Sequence, residues 1–375
     1  MTVISAGAVV IDGRVCRPGW VQTSDQRIVG CGVGAPPIPE DVDLPDSLVV
    51  PGFIDMHVHG GGGASYTDDA LLPAAFHLRH GTTTTLASVV TCAPMELLCA
   101  VRALAEATRA GTVAGIHLEG PWLSRARCGA HDPTLMRVPD PTEIDAVLAA
   151  GNGAIRMVTL APELPGADAA IRRLVDAGVV VAVGHTDATY EQTRQAIAAG
   201  AAIGTHLFNA MRPLHHRDPG PALALLRDER VVVEIIADGL HVHPEVIGAV
   251  IDAVGPGRVA AVTDALAAAG CADGTFRLGS VRVDVISGVP RVDGTSTIAG
   301  STATMDVLFR ALAGDGSDAA LAAAAQMTAT TPARALRLER VGSLKEGYAA
   351  NLVVLDGDLQ VTGVMARGGW VDRGG

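Results

Sequence analysis

Aromatic residues, positive charge and long apolar runs are all scarce in this sequence. Phe, Trp and Tyr make up 3% of the 375 residues, so a folded core must be built from Ala, Val, Leu and Ile. No apolar run reaches the roughly 18–20 residues of a membrane-spanning helix, and the N-terminus lacks the basic and apolar segments of a secretion signal. The net charge of −12 argues against nucleic acid or an acidic membrane surface as a partner.

Closely spaced cysteine pairs are also missing. The six cysteines are scattered, with no CxxC pair, which indicates reduced thiols in a chain that shows no secretion signal. With 49% hydrophobic and 18% charged residues, the composition is that of a globular protein. We therefore expect a soluble cytoplasmic protein whose length accommodates one barrel or two modest domains.

The two ends of the chain share a sequence pattern that differs from that of the middle. Residues 1–50 and 341–375 consist of short β-type runs between Gly, Pro and Asp turn signals, and we expect them to form one small β-sandwich domain. Residues 51–340 alternate eight short apolar runs with helical stretches that end at glycine, which predicts a parallel (β/α)8 barrel of the TIM type. Residues 274–300 break this alternation, so we expect a hairpin inserted after the eighth strand.

Titratable side chains stand at the ends of most of the eight runs. His57 and His59 end the first run, in "HVHGGGG", and residues two apart on a strand point the same way. The third, fifth, sixth, seventh and eighth runs end in Glu119, His185, His206, His241 and Asp264. The carboxyl ends of barrel strands converge on one face, where barrel enzymes place their active sites.

Each of these groups alone has a simpler explanation. A histidine pair can belong to a polar rim, and Glu119 or Asp264 can cap the following helix. Their joint placement in apolar segments has no packing explanation, because buried histidines and carboxylates are costly unless they are paired or bind a metal. We therefore predict a site for divalent metal, with the four glycines after His59 leaving room beside it.

Eight motifs, in order, resemble those of one known family. "PGFIDMHVHGGGG", "GIHLEGPW", "LAPE", "VGHT", "THLFNAM", "HHRDPG", "ADGLHV" and "VTDA" are similar to motifs of the N-acetylglucosamine-6-phosphate deacetylases, in the amidohydrolase superfamily. The resemblance runs from about residue 48 to 310 and extends to the terminal β-domain. HxH alone marks only the superfamily, whereas "HLEGPW", "THLFNAM" and "ADGLHV" are specific to the deacetylase branch.

The resemblance implies one or two divalent metal ions. Glu119 would ligate or bridge them, the histidines of the fifth and sixth strands would complete one site, and those of the first strand would build the other. The implied ligand set is His57, His59, Glu119, His185, His206 and Asp264. Zinc is the expected metal, and Fe, Mn and Co also suit imidazole and carboxylate ligands. Some relatives replace the HxH histidines by amides and keep one metal, but this chain has both histidines.

The implied reaction removes acetate from N-acetyl-D-glucosamine 6-phosphate and leaves glucosamine 6-phosphate, in amino-sugar catabolism and cell-wall recycling. Metal-bound hydroxide would attack the amide carbonyl, with Asp264 as general base and then as general acid toward the departing amine. His131, in "RCGAHDP", corresponds to the family histidine that polarises the carbonyl, a role worth roughly 3 kcal/mol in other acyl-transfer sites.

The resemblance also implies which residues hold the sugar phosphate. Arg217 matches an arginine that contacts the phosphate across the interface of a homodimer, where its planar fork can reach two oxygens. The expected substrate-binding residues are Asn209, Ala210, His216, Arg217 and His241.

Cys128 departs from the family pattern, which commonly has a basic residue before this turn. It lies three residues before His131 in "SRARCGAH". Either Cys128 touches the sugar or gates access to it, or it fills space as a small apolar side chain.

Three other functions bear comparison. Many amidohydrolases bridge their metals with a carboxylated lysine on the fourth strand, but "AIRMVTLAPE" contains no lysine. Deacetylation of another N-acetylated sugar phosphate stays open. A non-catalytic scaffold of the same fold would have lost ligands, and none is missing here.

Overall fold

A computed structural model describes residues 1–372 of the chain. The N-terminal segment supplies five strands: β1 (Thr2–Ile11), β2 (Arg14–Cys16), β3 (Gly19–Ser24), β4 (Arg27–Val33) and β5 (Val42–Pro51). The β1–β2 hairpin turns at Asp12 and Gly13, whose φ values of 45° and 73° are the left-handed pair that an Asp-Gly turn favours. β1 pairs antiparallel with β3 and parallel with β5.

The middle of the chain forms a parallel sheet of eight strands that follow one another in sequence order. The first is β6 (Phe53–Val58), which is followed by two short strands, β7 (Gly60–Gly61) and β8 (Ala64–Ser65). The other seven are β9 (Thr82–Val90), β10 (Gly115–Glu119), β11 (Ile155–Leu160), β12 (Val180–Val183), β13 (Ile203–Gly204), β14 (Val232–Ile235) and β15 (Val259–Ala261). Each coincides with one of the eight apolar runs, so the predicted (β/α)8 class is confirmed.

Burial on both faces explains why these strands are apolar rather than alternating. Every residue of β6, β10, β12, β14 and β15 is buried, as expected for parallel strands covered by helices. The first and last strands meet at their carboxyl ends. There Asp264 N–H donates to His57 O and His59 N–H donates to Ala265 O, both at 2.8 Å.

In the described part of the chain, ten α-helices connect or follow the strands: α1 (Leu71–Arg79), α2 (Pro94–Arg109), α3 (Pro141–Gly151), α4 (Ala167–Asp176), α5 (Tyr190–Ala199), α6 (Gly220–Arg227), α7 (Pro244–Val254), α8 (Met305–Ala313), α9 (Asp318–Ala325) and α10 (Thr331–Ala335). Local signals set their ends. Thr189 and Gln192 form a capping box at the start of α5, and Gly200 caps its carboxyl end. Within residues 1–372, no helix is both long and apolar enough to cross a membrane.

The glycine run after His59 makes a tight turn. Gly60 pairs with Ser65 and Gly61 with Ala64, while Gly62 and Gly63 adopt φ values of 63° and 98°. Such a two-residue turn favours Gly-Gly. A side chain on Gly60 would collide with Ala64 O. The backbone of the turn itself therefore requires glycine, and the expectation that these glycines leave room beside a metal stays a prediction.

The segment after the eighth strand is a three-stranded antiparallel sheet rather than the predicted hairpin. Its strands are β16 (Gly274–Leu278), β17 (Val281–Ile286) and β18 (Val289–Val292). The third strand forms because Gly288, with a φ of 74°, allows a second tight turn after β17.

The C-terminal strands β19 (Leu352–Leu355), β20 (Val361–Ala366) and β21 (Gly369–Trp370) complete the sheet begun by the N-terminal ones. The strand order is β21-β20-β19-β5-β1-β3-β4, with β2 paired to β1. Ile28 of β4 and Met365 of β20 belong to one buried cluster, so the sheet curls around its core as a sandwich does. The predicted β-domain built from both termini is confirmed, as one hydrogen-bonded sheet rather than two.

By its internal contacts the chain divides into two units. One contains residues 1–55, 75–84 and 304 onward, and the other contains residues 56–74 and 85–303. The first unit is larger than the predicted β-domain because α9 packs against β2, where Arg17 Nη2 lies 2.8 Å from Asp318 Oδ1. The predicted boundaries at 50 and 340 thus differ from this division and stay a prediction.

Candidate metal centre

The candidate centre lies at the carboxyl ends of the barrel strands, with Glu119 in its middle. Glu119 Oε1 is 3.1 Å from His185 Nε2 and 3.0 Å from His206 Nε2. Glu119 Oε2 is 3.1 Å from His59 Nε2 and 3.2 Å from His131 Nε2. One buried carboxylate thus faces imidazoles from several strands.

Asp264 closes the side of the centre next to the first strand. Its Oδ1 lies 3.1 Å from His59 Nε2 and 3.5 Å from His57 Nε2. His57 Nε2 is also 3.4 Å from Glu119 Oε1. The two histidines converge because they are two residues apart on an extended segment, as the sequence spacing predicts.

The donor set fits divalent metal. The Nε2 atoms of His57 and His59 face each other at 3.3 Å, and those of His185 and His206 at 3.1 Å. Neutral imidazole lone pairs at this distance repel unless a proton or a cation lies between them. Ligand atoms of two overlapping groups come within 4.8 Å of one another: His57, His59, Glu119 and Asp264, and Glu119, His131 and His185. Imidazole with carboxylate is a common ligand set for Zn, Fe, Mn and Co.

The electrostatics of the cluster call for positive charge. Burial alone would lower the pKa of His59, but hydrogen bonds to Asp264 and Glu119 raise it to about 9. Burial alone would raise the pKa of Glu119, but the charge of His57 and hydrogen bonds from His131 and His185 hold it well below its usual value. In the metal-free chain this charge must come from protons on the rings. A divalent cation would supply it while the imidazoles stay neutral ligands.

His131 is arranged as a neutral hydrogen-bond donor. Thr91 N–H donates to His131 Nδ1 at 3.3 Å, which assigns the ring proton to Nε2, on the side of Glu119. Burial lowers the pKa of His131 to about 4, although Glu119 opposes the shift. At neutral pH the ring is therefore uncharged and can still donate through Nε2.

Three residues of the centre have a left-handed backbone. The φ values are 46° for His185, 27° for His206 and 48° for Asp264. For residues other than glycine such conformations cost of order 1–3 kcal/mol each and cluster at functional sites. The strain turns the chain sharply at the strand ends, so that these side chains project into the centre.

A cleft of about 280 Å³ adjoins the cluster. Asn209, Ala210 and His241 line it near the ends of β13 and β14. His241 Nδ1 lies 2.7 Å from Asp238 Oδ2, and Asn209 Nδ2 donates to His206 O at 3.2 Å. Three of the predicted substrate-binding residues therefore share one cleft with five of the six predicted metal ligands: His59, Glu119, His185, His206 and Asp264.

The structure does not bring the other predicted substrate residues to this cleft. His216 and Arg217 are exposed, with Arg217 Nη1 2.7 Å from His216 Nε2, and neither lines the cleft. Cys128 is half-buried, and its carbonyl accepts from His131 N–H at 3.0 Å. Gly129, Ala130 and His131 line the cleft from the same turn, but Cys128 is not part of the lining. The roles of these residues stay predictions.

Two buried residues beneath the centre were not predicted from the sequence. Glu234 Oε2 lies 3.1 Å from His57 Nδ1 and accepts from His206 N–H at 3.1 Å. His117 Nδ1 lies 2.9 Å from Ser88 Oγ, and its ring centroid is 4.5 Å from that of His57. The signal for Glu234 was present, since it is the one charged residue of "VVVEII", and a buried charge requires a partner.

Glu234→Gln is expected to weaken metal binding at the His57 side roughly 10–100-fold, because a carboxylate behind a metal-binding histidine orients the ring and raises its basicity. Competition with a chelator of known affinity measures the change. Glu245→Gln, at an exposed position of α7, serves as the control. Equal metal affinity in both variants would show that Glu234 does not support metal binding.

Imidazoles and carboxylates gathered beside a cleft at the carboxyl end of a (β/α)8 barrel define a class, the metal-dependent barrel hydrolases. Residues 48–371 match the model of the amidohydrolase family. The chain belongs to the amidohydrolase family.

Individual relatives agree with this family. N-acetylgalactosamine-6-phosphate deacetylase of Escherichia coli O157:H7 is 38% identical over 361 residues, which cover 93% of this chain and 95% of the relative. N-acetylglucosamine-6-phosphate deacetylase of Bacillus subtilis (strain 168) is 32% identical over 376 residues, 96% and 94% of the two chains. The crystal structure of N-acetyl-D-glucosamine-6-phosphate deacetylase from Mycobacterium smegmatis is 52% identical, with a TM-score of 0.97 over 99% of this chain and 100% of that one. The resemblance seen in the sequence motifs is thereby confirmed.

Proposed function

We propose that this chain hydrolyses N-acetyl-D-glucosamine 6-phosphate to acetate and glucosamine 6-phosphate, in amino-sugar catabolism. The observation that carries the proposal is the cleft shared by His131, Asp264 and the Glu119 cluster, in a chain 52% identical over 99% of its length to a deacetylase of this name. Support for the substrate also comes from a mutant of that enzyme, 53% identical to this chain, whose structure was solved in complex with N-acetyl-D-glucosamine-6-phosphate.

The metal ions would be held by the two halves of the cluster. One half is His57, His59 and Asp264, the other is His185 and His206, and Glu119 faces both. Divalent metal bound there lowers the pKa of coordinated water and polarises a carbonyl. We expect zinc and a stoichiometry of two, because both histidines of the HxH pair point into the cluster.

The protein groups would handle the carbonyl oxygen and the proton. His131 donates from Nε2 toward the carbonyl oxygen, and such a donor is worth roughly 3 kcal/mol in the transition state. Asp264 takes the proton of the attacking water and returns it to the amine nitrogen as the C–N bond breaks. Its ionised state suits the first of these steps. Burial would raise the pKa of Asp264, but His57 and His59 lower it to about 2.

Asn209, Ala210 and His241 would hold the sugar phosphate at the β13 and β14 side of the cleft. Burial alone would lower the pKa of His241, but its hydrogen bond with Asp238 raises it above the usual 6.5. The imidazolium therefore persists above pH 6.5 and attracts an anionic substrate. This attraction is present below the raised pKa and is lost as pH rises through it.

Asp238→Asn is expected to raise KM at neutral pH roughly tenfold, since a hydrogen bond to a charged group is worth about 1.5–3 kcal/mol. The amide keeps the Oδ1 acceptor for the N–H groups of Leu240 and His241, so the loop is preserved. KM measured from pH 6 to 9 should begin to rise at lower pH in the variant, with little change in kcat. Superimposable KM profiles would contradict a role for the charge of His241.

Arg217 is proposed to reach the site of the other subunit in a homodimer. Its exposed guanidinium forms no ion pair with any described residue and lies outside the cleft of its own chain. Mixing subunits tests this arrangement. Arg217→Ala and Asp264→Asn chains, each impaired alone, should regain activity together, because one site of the mixed dimer then has both residues intact. No recovery would place Arg217 outside the partner's site.

One substitution distinguishes the two hypotheses for Cys128, contact with the sugar and packing. The hypothesis that its thiol touches the sugar predicts a lower kcat/KM for Cys128→Ser. An unchanged kcat/KM assigns Cys128 to packing.

A second candidate substrate is N-acetyl-D-galactosamine 6-phosphate. The relative from Escherichia coli O157:H7, 38% identical over 93% of this chain, carries that activity in its name. Acetate release from both sugar phosphates, together with elemental analysis of the purified protein, tests the proposal. A higher kcat/KM for the galactosamine substrate would assign the second function. A metal-loaded chain that releases no acetate from either sugar would overturn both.

A further inference from the structure

A second, larger cavity lies against the candidate centre. It has a volume of about 510 Å³ and shares only His59 and Leu278 with the cleft. Its apolar walls include Val89 and Val90 at the end of β9 and Ala100 and Ala103 of α2. We call it the side chamber. The deacetylation described above makes no use of it.

Leu278 is the apolar residue that separates the cleft from the side chamber. It ends β16, is 8% exposed and lines both cavities. It packs in one cluster with Ala130 and Leu266. Ala130 precedes His131, and Leu266 follows Asp264 by two residues. Leu278, which we call the wall, therefore lies close to His131 and Asp264, the two protein groups that act on the amide.

The turn after Leu278 is held in place from two sides. A side chain on Gly279, whose φ is 57°, would meet Val90 Cγ2 at 2.7 Å, so the turn packs closely on the end of β9. Ser280 Oγ donates to Asp132 Oδ2 at 3.2 Å. These contacts tie the wall to β9 and to the turn that carries His131.

The position of the wall relates it to the acyl group of the substrate. Asn209, Ala210 and His241, which would hold the sugar, follow β13 and β14. Leu278 packs against Val90, which ends β9, and Ala130, which follows β10, on the other side of the barrel. With the carbonyl beside His131, the sugar nitrogen points toward Asn209, Ala210 and His241. The acyl carbon chain then points away from these residues, toward Leu278.

We propose that Leu278 sets the acyl-chain length that this enzyme accepts, by closing the cleft off from the side chamber; this inference rests on the proposed deacetylase function. An acetyl methyl ends in front of Leu278, whereas a longer chain needs the space behind it. The reaction itself is unchanged. Water adds its oxygen to the carbonyl carbon, the C–N bond breaks, and a proton from that water goes to the amine nitrogen. A longer acyl group is therefore released as a longer carboxylate.

The test uses the metal-loaded protein and four substrates: the N-acetyl, N-propionyl, N-butyryl and N-hexanoyl derivatives of glucosamine 6-phosphate. Release of glucosamine 6-phosphate is a common readout for all of them. In the wild type, kcat/KM should fall by at least about tenfold from acetyl to butyryl, as expected when added methylenes do not fit a pocket. Leu278→Ala should raise the butyryl-to-acetyl ratio of kcat/KM at least tenfold, and Leu278→Val should raise it less.

Two further variants separate this role from a general loosening of the structure. Val283→Ala removes volume from the same buried cluster at a residue that lines neither cavity, and it should keep the wild-type ratio. Leu278→Ala combined with Ala100→Phe refills the chamber and should abolish the gain. A wild type that accepts butyryl as well as acetyl, or equal ratios in the Leu278 variants and Val283→Ala, would overturn the proposal. A wild type that releases amine from none of the four substrates would instead refute the proposed action on glucosamine 6-phosphate derivatives.

Discussion

Replacement of Asp264 by asparagine is expected to lower kcat on the order of 10³-fold, the middle of the range for loss of a general acid–base group. The amide oxygen can still face His57 and His59, but it cannot take a proton from water or return one to the amine. The metal should remain bound, because Glu119 and the histidines keep their contacts. The measurements are kcat on N-acetyl-D-glucosamine 6-phosphate and the metal content of the purified variant.

Asp252→Asn provides the control, since it makes the same chemical change at an exposed position of α7. It should leave kcat unchanged. The pH profile supplies a second check. The pKa of Asp264 lies near 2 in the metal-free chain, so its carboxylate is present throughout the neutral range and is lost only as pH falls toward that value. Asp264→Asn activity within tenfold of wild type, with metal bound, would require another residue to move the proton.

The sequence predicted the barrel because its strands are short, apolar and separated by helical stretches that end in glycine. The pattern is strong in this chain since both faces of the strands are buried and no polar alternation competes with it. The third strand of the insertion was missed because it depends on a second turn, at Gly288. The glycines after His59 have two compatible explanations, because a turn and an open space beside a metal both favour residues without side chains.

The histidines and carboxylates that meet in the centre could be predicted from their common position at strand ends. The supporting residues could not be found in that way. Glu234 lies one residue before the end of β14, and its partner His57 is 177 positions away in sequence. The left-handed backbone at His185, His206 and Asp264 has no local signal, because it is imposed by the surrounding structure and not by residue type. The side chamber depends on the placement of a turn from the insertion.

Replacement of Glu119 by glutamine is expected to have the largest effect on metal content. Its two oxygens face four imidazoles at 3.0–3.2 Å, so both halves of the cluster lose their shared anionic ligand. Bound metal should fall well below the wild-type stoichiometry after dialysis against a chelator. kcat/KM should fall at least about 10³-fold, because a catalytic cation contributes several kcal/mol to transition-state stabilisation and each 1.36 kcal/mol is tenfold in rate.

Glu234→Gln is the matched comparison for Glu119→Gln, because it makes the same change in a buried glutamate 3.1 Å from His57 on the far side of the ring. It touches one half of the cluster and should leave the metal at His185 and His206 in place. Elemental analysis of both variants, dialysed side by side, therefore distinguishes a shared ligand from a supporting residue. If Glu119→Gln retained the wild-type amount of metal, Glu119 would not be the shared ligand, and the two halves of the cluster would bind metal independently.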